Sequence, residues 1–532
     1  MIQEFSKSNP EFPVSNSLMY SIYKMLPNDT DLTVFRVKGD IQGFNFAFID
    51  NHFNYHTERD NYDNLSPKTL AHQGSYLLPM LSYFSQADLT NLNSDEDNVY
   101  FNIPFAFVHY PFSWIIPVVI IGFLLLLGFT FIGMGKHLFR IDEVLKSFIP
   151  MLVATILCGG ITYIGWKILN NIYPQYQDIL HGFTYNGHDY IYAFVSLSLS
   201  ICFLVYAFTN QKKNKTHYVV APLFLWLIIN VLIAIYLKGA GFLIIPVISS
   251  TLMLGIYVIT QKQNTIAYCL LSIPTLVIVA PFIQMFPIGL GLKILFGSAI
   301  LTALTFGLLL PIFGNFNKKG IWSILFLLVS IGFFAKAHQN SFYTSETPKP
   351  NSLLYYKDVD SQKSYWTTYD VNLDEWTKNY LGENPKPADV LNNNKIYSKY
   401  GSKFTYLKEA PNKDIALPTI EFLKDTVQGS NHFYTIKITP NRSVNRYDIF
   451  NKNNSAIGNL VANGAKPILF KSKIGGNSNH KILSYYVVNQ EPLVLEFSIN
   501  KNESLNLELM ESSFDLLTHN QFTVSPRKSW MI

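Results

Sequence analysis

Eight long apolar runs, at approximately 112–134, 147–169, 191–209, 219–237, 240–260, 265–286, 288–313 and 321–337, occupy the middle of this chain. A bilayer core about 30 Å thick is crossed by about 20 apolar residues in a helix. Lipid offers no partner to an unpaired backbone group, so runs of this kind fold as helices. They lack the alternation of apolar and polar residues that membrane-barrel strands show. Only the boundary between the sixth and seventh runs, around Phe286 and Pro287, is weakly marked. The chain therefore reads as a multispanning α-helical membrane protein of about eight helices.

The flanks differ in kind. Of the 532 residues 49% are hydrophobic and 14% charged, but residues 1–110 and 338–532 are polar, Asn-rich and broken by Pro and Gly. A net charge of +5 without a basic block gives no argument for a nucleic-acid partner. Cys158, Cys202 and Cys269 all fall within apolar runs, where packing explains them, and neither flank holds a Cys for a disulfide or a CxxC metal site.

Basic residues in short loops set orientation. They cluster in alternate loops, at Lys136, Arg140 and Lys146, at Lys212, Lys213 and Lys215, at Lys262, and at Lys318 and Lys319. Lys167, Lys238 and Lys293 sit near helix ends, where they can snorkel. The expectation is that both flanks lie on the non-cytoplasmic side, periplasmic in a bacterium and lumenal in a eukaryote. The first thirty residues lack a basic start followed by an apolar core. A long polar segment crosses poorly ahead of any signal, so the natural protein is expected to begin further upstream.

Residues 13–34 suggest a short amphipathic helix with a turn at Pro27-Asn28-Asp29. Phe44–Ile49 reads as a buried strand, and the apolar spacing of Leu70, Tyr76, Leu77, Leu81 and Phe84 after Pro67 reads as a helix. The stretches PNDTDLTVF, GFNFAFI and YHTERDNYDNL, followed by a helix with HQG, resemble the C-terminal end of M28-family zinc aminopeptidase domains. The nearest likeness is to the membrane-bound branch, of endoplasmic reticulum metallopeptidase and vacuolar membrane protease type. There a peptidase domain precedes a multispanning region and a C-terminal lumenal domain.

That resemblance implies a site of two zinc ions sharing a carboxylate, with peptide as substrate. It maps one zinc ligand onto His56, a structural or ligand-supporting carboxylate onto Asp60, and a rim carboxylate onto Asp31. The family's first His, bridging Asp, catalytic Glu and further carboxylates come from upstream sequence that is not present here. One histidine cannot activate a bridging water. The chain is thus expected to be inactive alone, with an upstream peptidase fragment as a partner.

Other residues invite weaker readings. His52 and His56 have the spacing of a helical zinc pair, but HFNYH lacks the Glu of HExxH and its aromatics favour strand or loop. His72 reads as a capping or packing residue. His181, His188, Asp178 and Asp189 in the outward loop 170–190 could face metal or substrate, although a solvated interfacial loop is the plainer expectation. Lys293 has no convincing acidic partner, which leaves a transport pathway little support.

After Ala337 come short alternating runs, HFYTIKITP, YDIFN, KPILFKS, KILSYYVV, PLVLEFSI and SLNLELM, with an opening hairpin in SLLYYKDVDSQKSYWTTYD. They suggest an all-β, sandwich-like domain, in which Trp366 and Trp376 pack in the core. The organisation expected is an α/β peptidase-domain remnant at 1–95, a linker at 96–111, membrane helices at 112–337 and the β-rich domain at 338–532. The leading function is a membrane-anchored zinc-dependent exopeptidase lacking most of its metal site. The alternatives are a non-catalytic membrane scaffold or a transporter-like protein.

Overall fold

The long apolar runs become helices whose apolar side chains point outward as well as inward, as lipid permits and water does not. In the computed structural model, residues 1–26, 30–90, 94, 96–209, 216–392, 403–453, 455–466 and 481–532 are described. The expected turn at Pro27–Asp29, the Lys212, Lys213 and Lys215 loop and most of the KPILFKS run lie outside them. The chain divides into two units, Met1–Tyr343 and Thr344–Ile532.

Among the described residues, the first unit holds seven helices long and apolar enough to cross a membrane. They are α5 (Phe112–Gly135), α6 (Ile141–Ile172), α7 (Gly187–Thr209), α8 (His217–Tyr236), α9 (Lys238–Thr260), α10 (Thr265–Leu290) and α12 (Lys319–Gln339). A shorter apolar helix, α11 (Leu292–Leu308), makes the eighth and is about 25 Å long at 1.5 Å per residue. Helices α7 and α9 are the most enclosed, and α5 and α12 the least. Cys158 and Cys202 are buried with their sulfurs 4.0 Å apart, whereas Cys269 is exposed on an outer face.

The weakly marked boundary falls later than expected. Helix α10 absorbs Pro274 with a π-type turn at Thr275–Val279 and continues through Pro287. It ends at Gly291, whose φ of +83° suits a residue without Cβ. At Gly291 a Cβ would stand 3.1 Å from the His181 carbonyl oxygen. The Leu292 amide donates to the Gly182 carbonyl at 2.7 Å, so the α6–α7 loop meets the helix break backbone to backbone.

Ahead of the membrane helices are α1 (Ile2–Lys7), α2 (Ser17–Met25), α3 (Asp31–Gly39) and α4 (Pro67–Phe84). Asn16 caps α2 and Ser66 caps α4, which also begins with Pro at its first position. Phe44–Ile49, expected as a buried strand, is irregular, and Phe48 and Ile49 are exposed. A strand needs a neighbour to pair its backbone groups; what lies against this segment is α1 and α4, whose Phe5, Phe84 and Tyr76 meet the rings of Phe44 and Phe46. The strands that do form are β1 (Asn98–Ile103) and β2 (Ala106–Pro111), an antiparallel hairpin within the stretch expected to be a plain linker.

Asn16 bridges to Phe101 on this hairpin, and the Ser17 hydroxyl donates to the Gly239 carbonyl at 2.5 Å. A Cβ on Gly239 would run into the Ser17 carbonyl and the Ser21 hydroxyl. Helix α2 is thus seated on the α8–α9 junction by a contact only glycine allows.

The named strands of the second unit pair antiparallel. One sheet runs β10 (Gly458–Ala462), β12 (Leu493–Asn500), β8 (Asn431–Thr439), β7 (Thr419–Gln428), and a second runs β11 (Lys481–Tyr486), β9 (Arg446–Asn451), β13 (Leu507–Ser512). Alternate side chains of β8 and β12, among them Ile436, Ile438, Leu493 and Leu495, pack with Tyr447 and Ile449 of β9 between the sheets. This is the expected sandwich. A third sheet, β3 (Leu354–Asp358), β4 (Lys363–Thr368), β6 (Tyr406–Glu409), β5 (Lys386–Pro387), begins with the expected hairpin. Helix α13 (Glu375–Leu381) buries Trp376, whose indole N–H donates to the Ser525 carbonyl at 2.7 Å. Trp366 packs against Tyr355, Tyr380 and Phe522.

Candidate functional site

The loop that carries His56 is a series of tight turns. The Tyr55 amide donates to His52, the Thr57 amide to Asn54 and the Asp60 amide to Thr57. The Thr57 hydroxyl bonds the Asn54 carbonyl at 2.8 Å and accepts from the Arg59 amide at 3.1 Å. Asn61 caps the short turn Tyr62–Asn64 that leads into α4. His56 takes a left-handed φ of +59°, and its ring stacks on Tyr55 with centroids 3.6 Å apart. Turns in place of a helix dispose of a helical His52–His56 pair.

His56 and Asp60 are exposed, and Asp31 is exposed at the first position of α3. Among the described residues, no group of three His, Cys, Asp or Glu side chains could hold a metal ion. His56, Asp60 and Asp31 therefore do not make a zinc site by themselves. Two zinc ions would require ligands beyond this set.

The neighbours of the loop are better ordered than its candidate ligand. His72 makes contacts of 2.9 Å with the Phe12 carbonyl and with the Tyr76 hydroxyl, and that hydroxyl accepts from the Val14 amide at 2.9 Å. It ties α4 to the chain before α2, the packing role expected of it.

On the other side lies the α6–α7 loop, which is not a solvated loop. Tyr176, Asp178, Ile179, Phe183, Thr184 and Asn186 are buried there. The Asn186 amide donates to the Tyr176 hydroxyl at 2.8 Å and to the Ala337 carbonyl at 2.7 Å. Tyr176 and Phe183 of this loop pack in a cluster with Trp166, Tyr190 and Leu292 of the membrane helices, and the His56 loop adds Phe53 at its edge. Phe53 stacks on Tyr185 at 4.2 Å, and His52 meets His181 ring to ring at 4.5 Å. His188 Nε2 lies 3.1 Å from Asp50 Oδ1, with Gln284 of α10 at 3.4 Å from its other ring nitrogen.

Burial holds the His181 imidazole down to about 4, with the neighbouring His52 acting in the same direction. Burial also lowers His52, against the opposite pull of the Ile49 backbone and Asp50.

Asp189 accepts from Lys336 at 2.8 Å and from Asn340 at 3.2 Å, joining α7 to α12 at their outer ends. Sequence reading passed over this pair because both residues sit at the margins of apolar runs. Lys293 is exposed at the start of α11.

Residues 3–81 match Peptidase family M28. This N-terminal segment is similar to that family. Endoplasmic reticulum metallopeptidase 1 of Homo sapiens is 32% identical over 150 residues, covering 27% of this chain and 15% of that protein. The Rattus norvegicus protein is 28% identical over 147 residues, covering 27% and 16%. The putative endoplasmic reticulum metallopeptidase 1 of Schizosaccharomyces pombe is 33% identical over 81 residues, covering 15% and 10%. The chain thus aligns with less than a fifth of the length of each of these relatives. No solved structure matches it. The M28 match together with the apolar helices makes this a multi-pass membrane protein similar to the metallopeptidases of that branch.

Proposed function

We propose that this chain is the membrane-anchored part of a zinc-dependent exopeptidase of M28 type, which acts on peptides at the non-cytoplasmic face. In this reading His56 becomes a zinc ligand only when a polypeptide carrying the family's other ligands and its catalytic Glu docks on the M28 segment. Asp60 and Asp31 stand near that site, and the chain alone is inactive.

One observation supports this reading above the others. The segment leaves uncovered large apolar side chains on two helices: Val34, Phe35 and Val37 of α3, and Leu77, Leu78 and Leu81 of α4. Large contiguous apolar surface on the aqueous side of a protein marks an interface. The loops that contact the M28 segment, α6–α7 and α8–α9, are those with few basic residues. The positive-inside rule assigns such loops to the outer side.

The test is zinc analysis and aminopeptidase assay of the purified chain, with and without an added polypeptide bearing the front of an M28 domain. Activity and bound zinc are expected only with both present, and both should fall on His56→Ala. Robust turnover by the chain alone that survives His56→Ala overturns the assignment. No zinc and no turnover under either condition favours the scaffold reading.

A further inference from the structure

The His56 loop and the α6–α7 loop are far apart in sequence, yet they interlock through five aromatic rings and one polar bridge. Phe53 is the centre. Its ring lies 4.2 Å from Tyr185, 5.6 Å from His181 and 6.2 Å from Phe183. Phe183 is fully buried and belongs to a cluster with Trp166, Tyr190 and Leu292, against which Phe53 packs. The floor under Phe53 is therefore continuous with the core of the helical bundle. At the edge of this contact, Asp50 and His188 form the polar bridge at 3.1 Å.

We propose that the α6–α7 loop is a seat that positions the His56 loop on the membrane region, and that acidification lifts the loop from it. The seat concerns this chain's own residues and stands whether or not a metal ever reaches His56.

The physical reason lies in the His52–His181 pair. The two rings touch at 4.5 Å in a half-buried setting, so a proton on either meets little water and a second proton meets the first. Among the described residues, the charged and titratable groups at this contact include Asp50 and Arg59 from the M28 side and Tyr185 and His188 from the membrane side. Asp50 is the carboxylate acting on His52, and it is already held by His188.

A histidine whose docked value is depressed is released as pH falls below its free value. Docking is complete above about 6.5 and weakens toward about 4, the value for docked His181. At pH 5.5 His181 alone would weaken docking about tenfold. The Asp50–His188 bridge spans the same contact and opposes release, so the measured change should be no larger.

The experiment is hydrogen exchange on the full chain in detergent micelles without added metal, with protection factors read for residues 50–57 at pH 7.5 and pH 5.5. Wild type should lose several-fold protection on acidification. Phe53→Ala and His181→Ala should lose it already at pH 7.5. The double variant His52→Phe/His181→Phe keeps rings without protons and should stay protected at both values. Equal protection of wild type at the two pH values overturns acid release. Full protection in Phe53→Ala overturns the seat itself. Neither result bears on zinc binding, so the metallopeptidase reading is tested separately.

Discussion

The two water-facing parts of this molecule reach order by opposite routes. The β unit closes its own core, with Ile436, Ile438, Tyr447, Leu493 and Leu495 all at or below 5% exposure. Through residue 95 the M28 segment buries only Phe5, Leu18, Tyr76 and Met80 among its described apolar side chains. Of these, Leu18 belongs to the core of the membrane helices. The segment holds its shape by leaning on the membrane region at Gly239 and Phe183. Secondary structure alone does not make a domain; what matters is where the apolar faces find partners.

The sharpest way to break this contrast is to attack the self-sufficient side. Lys349 and Asp374 are both buried, with Nζ 3.4 Å from Oδ2 and a second bond of 2.6 Å to the Asn372 carbonyl. Lys349→Met leaves a buried carboxylate behind and should cost about 3–5 kcal/mol. Thermal unfolding of the full chain should show the β unit melting early while the helical signal is unchanged.

Acid probes the same pair more gently. Burial raises the Asp374 carboxyl, but the Thr377 amide, Lys349 and Asn351 together hold it below its usual 3.8. Its contribution is therefore present above about 3.8 and lost as pH falls further. Asp374→Asn should flatten that acid limb.

Gly239→Ala tests the dependent side. A methyl against the Ser17 carbonyl should cost about 1–3 kcal/mol. It should expose α2 to protease while leaving the β unit untouched. Equal protease resistance of the variant would mean that α2 does not need this contact.

The smallest effect is expected at Leu77→Ser and Leu81→Ser. Both side chains are exposed, so the chain's own stability should move by no more than about 0.5 kcal/mol. A loss of several kcal/mol would show that α4 already has a partner within this chain.

What could be read from sequence follows the same division. Membrane helices announce themselves by length of apolar run, and sandwich strands by alternation, because each pattern reflects one nearby environment. The M28 motif was legible residue by residue. Phe44–Ile49 was not: an apolar run looks the same whether a neighbouring strand covers it or nothing does. The end of α10 at Gly291 was hidden because packed neighbours let the helix pass Pro287. The seat could not be foreseen, since Asp50 meets His188 across 138 positions of chain. The burial of the α6–α7 loop comes from its packing on Trp166, Tyr190, Leu292 and Ala337, and a composition that reads as solvated gives no hint of it.

Gly239 carries a consequence for how such chains diverge. The residue lies in the membrane part, but the demand for glycine comes from the N-terminal segment, through the carbonyl of Ser17. A descendant that discarded the front would be free to place any side chain there. The identity of a single loop residue would then serve as a fossil mark, telling from the helices alone whether a peptidase segment once rested on them.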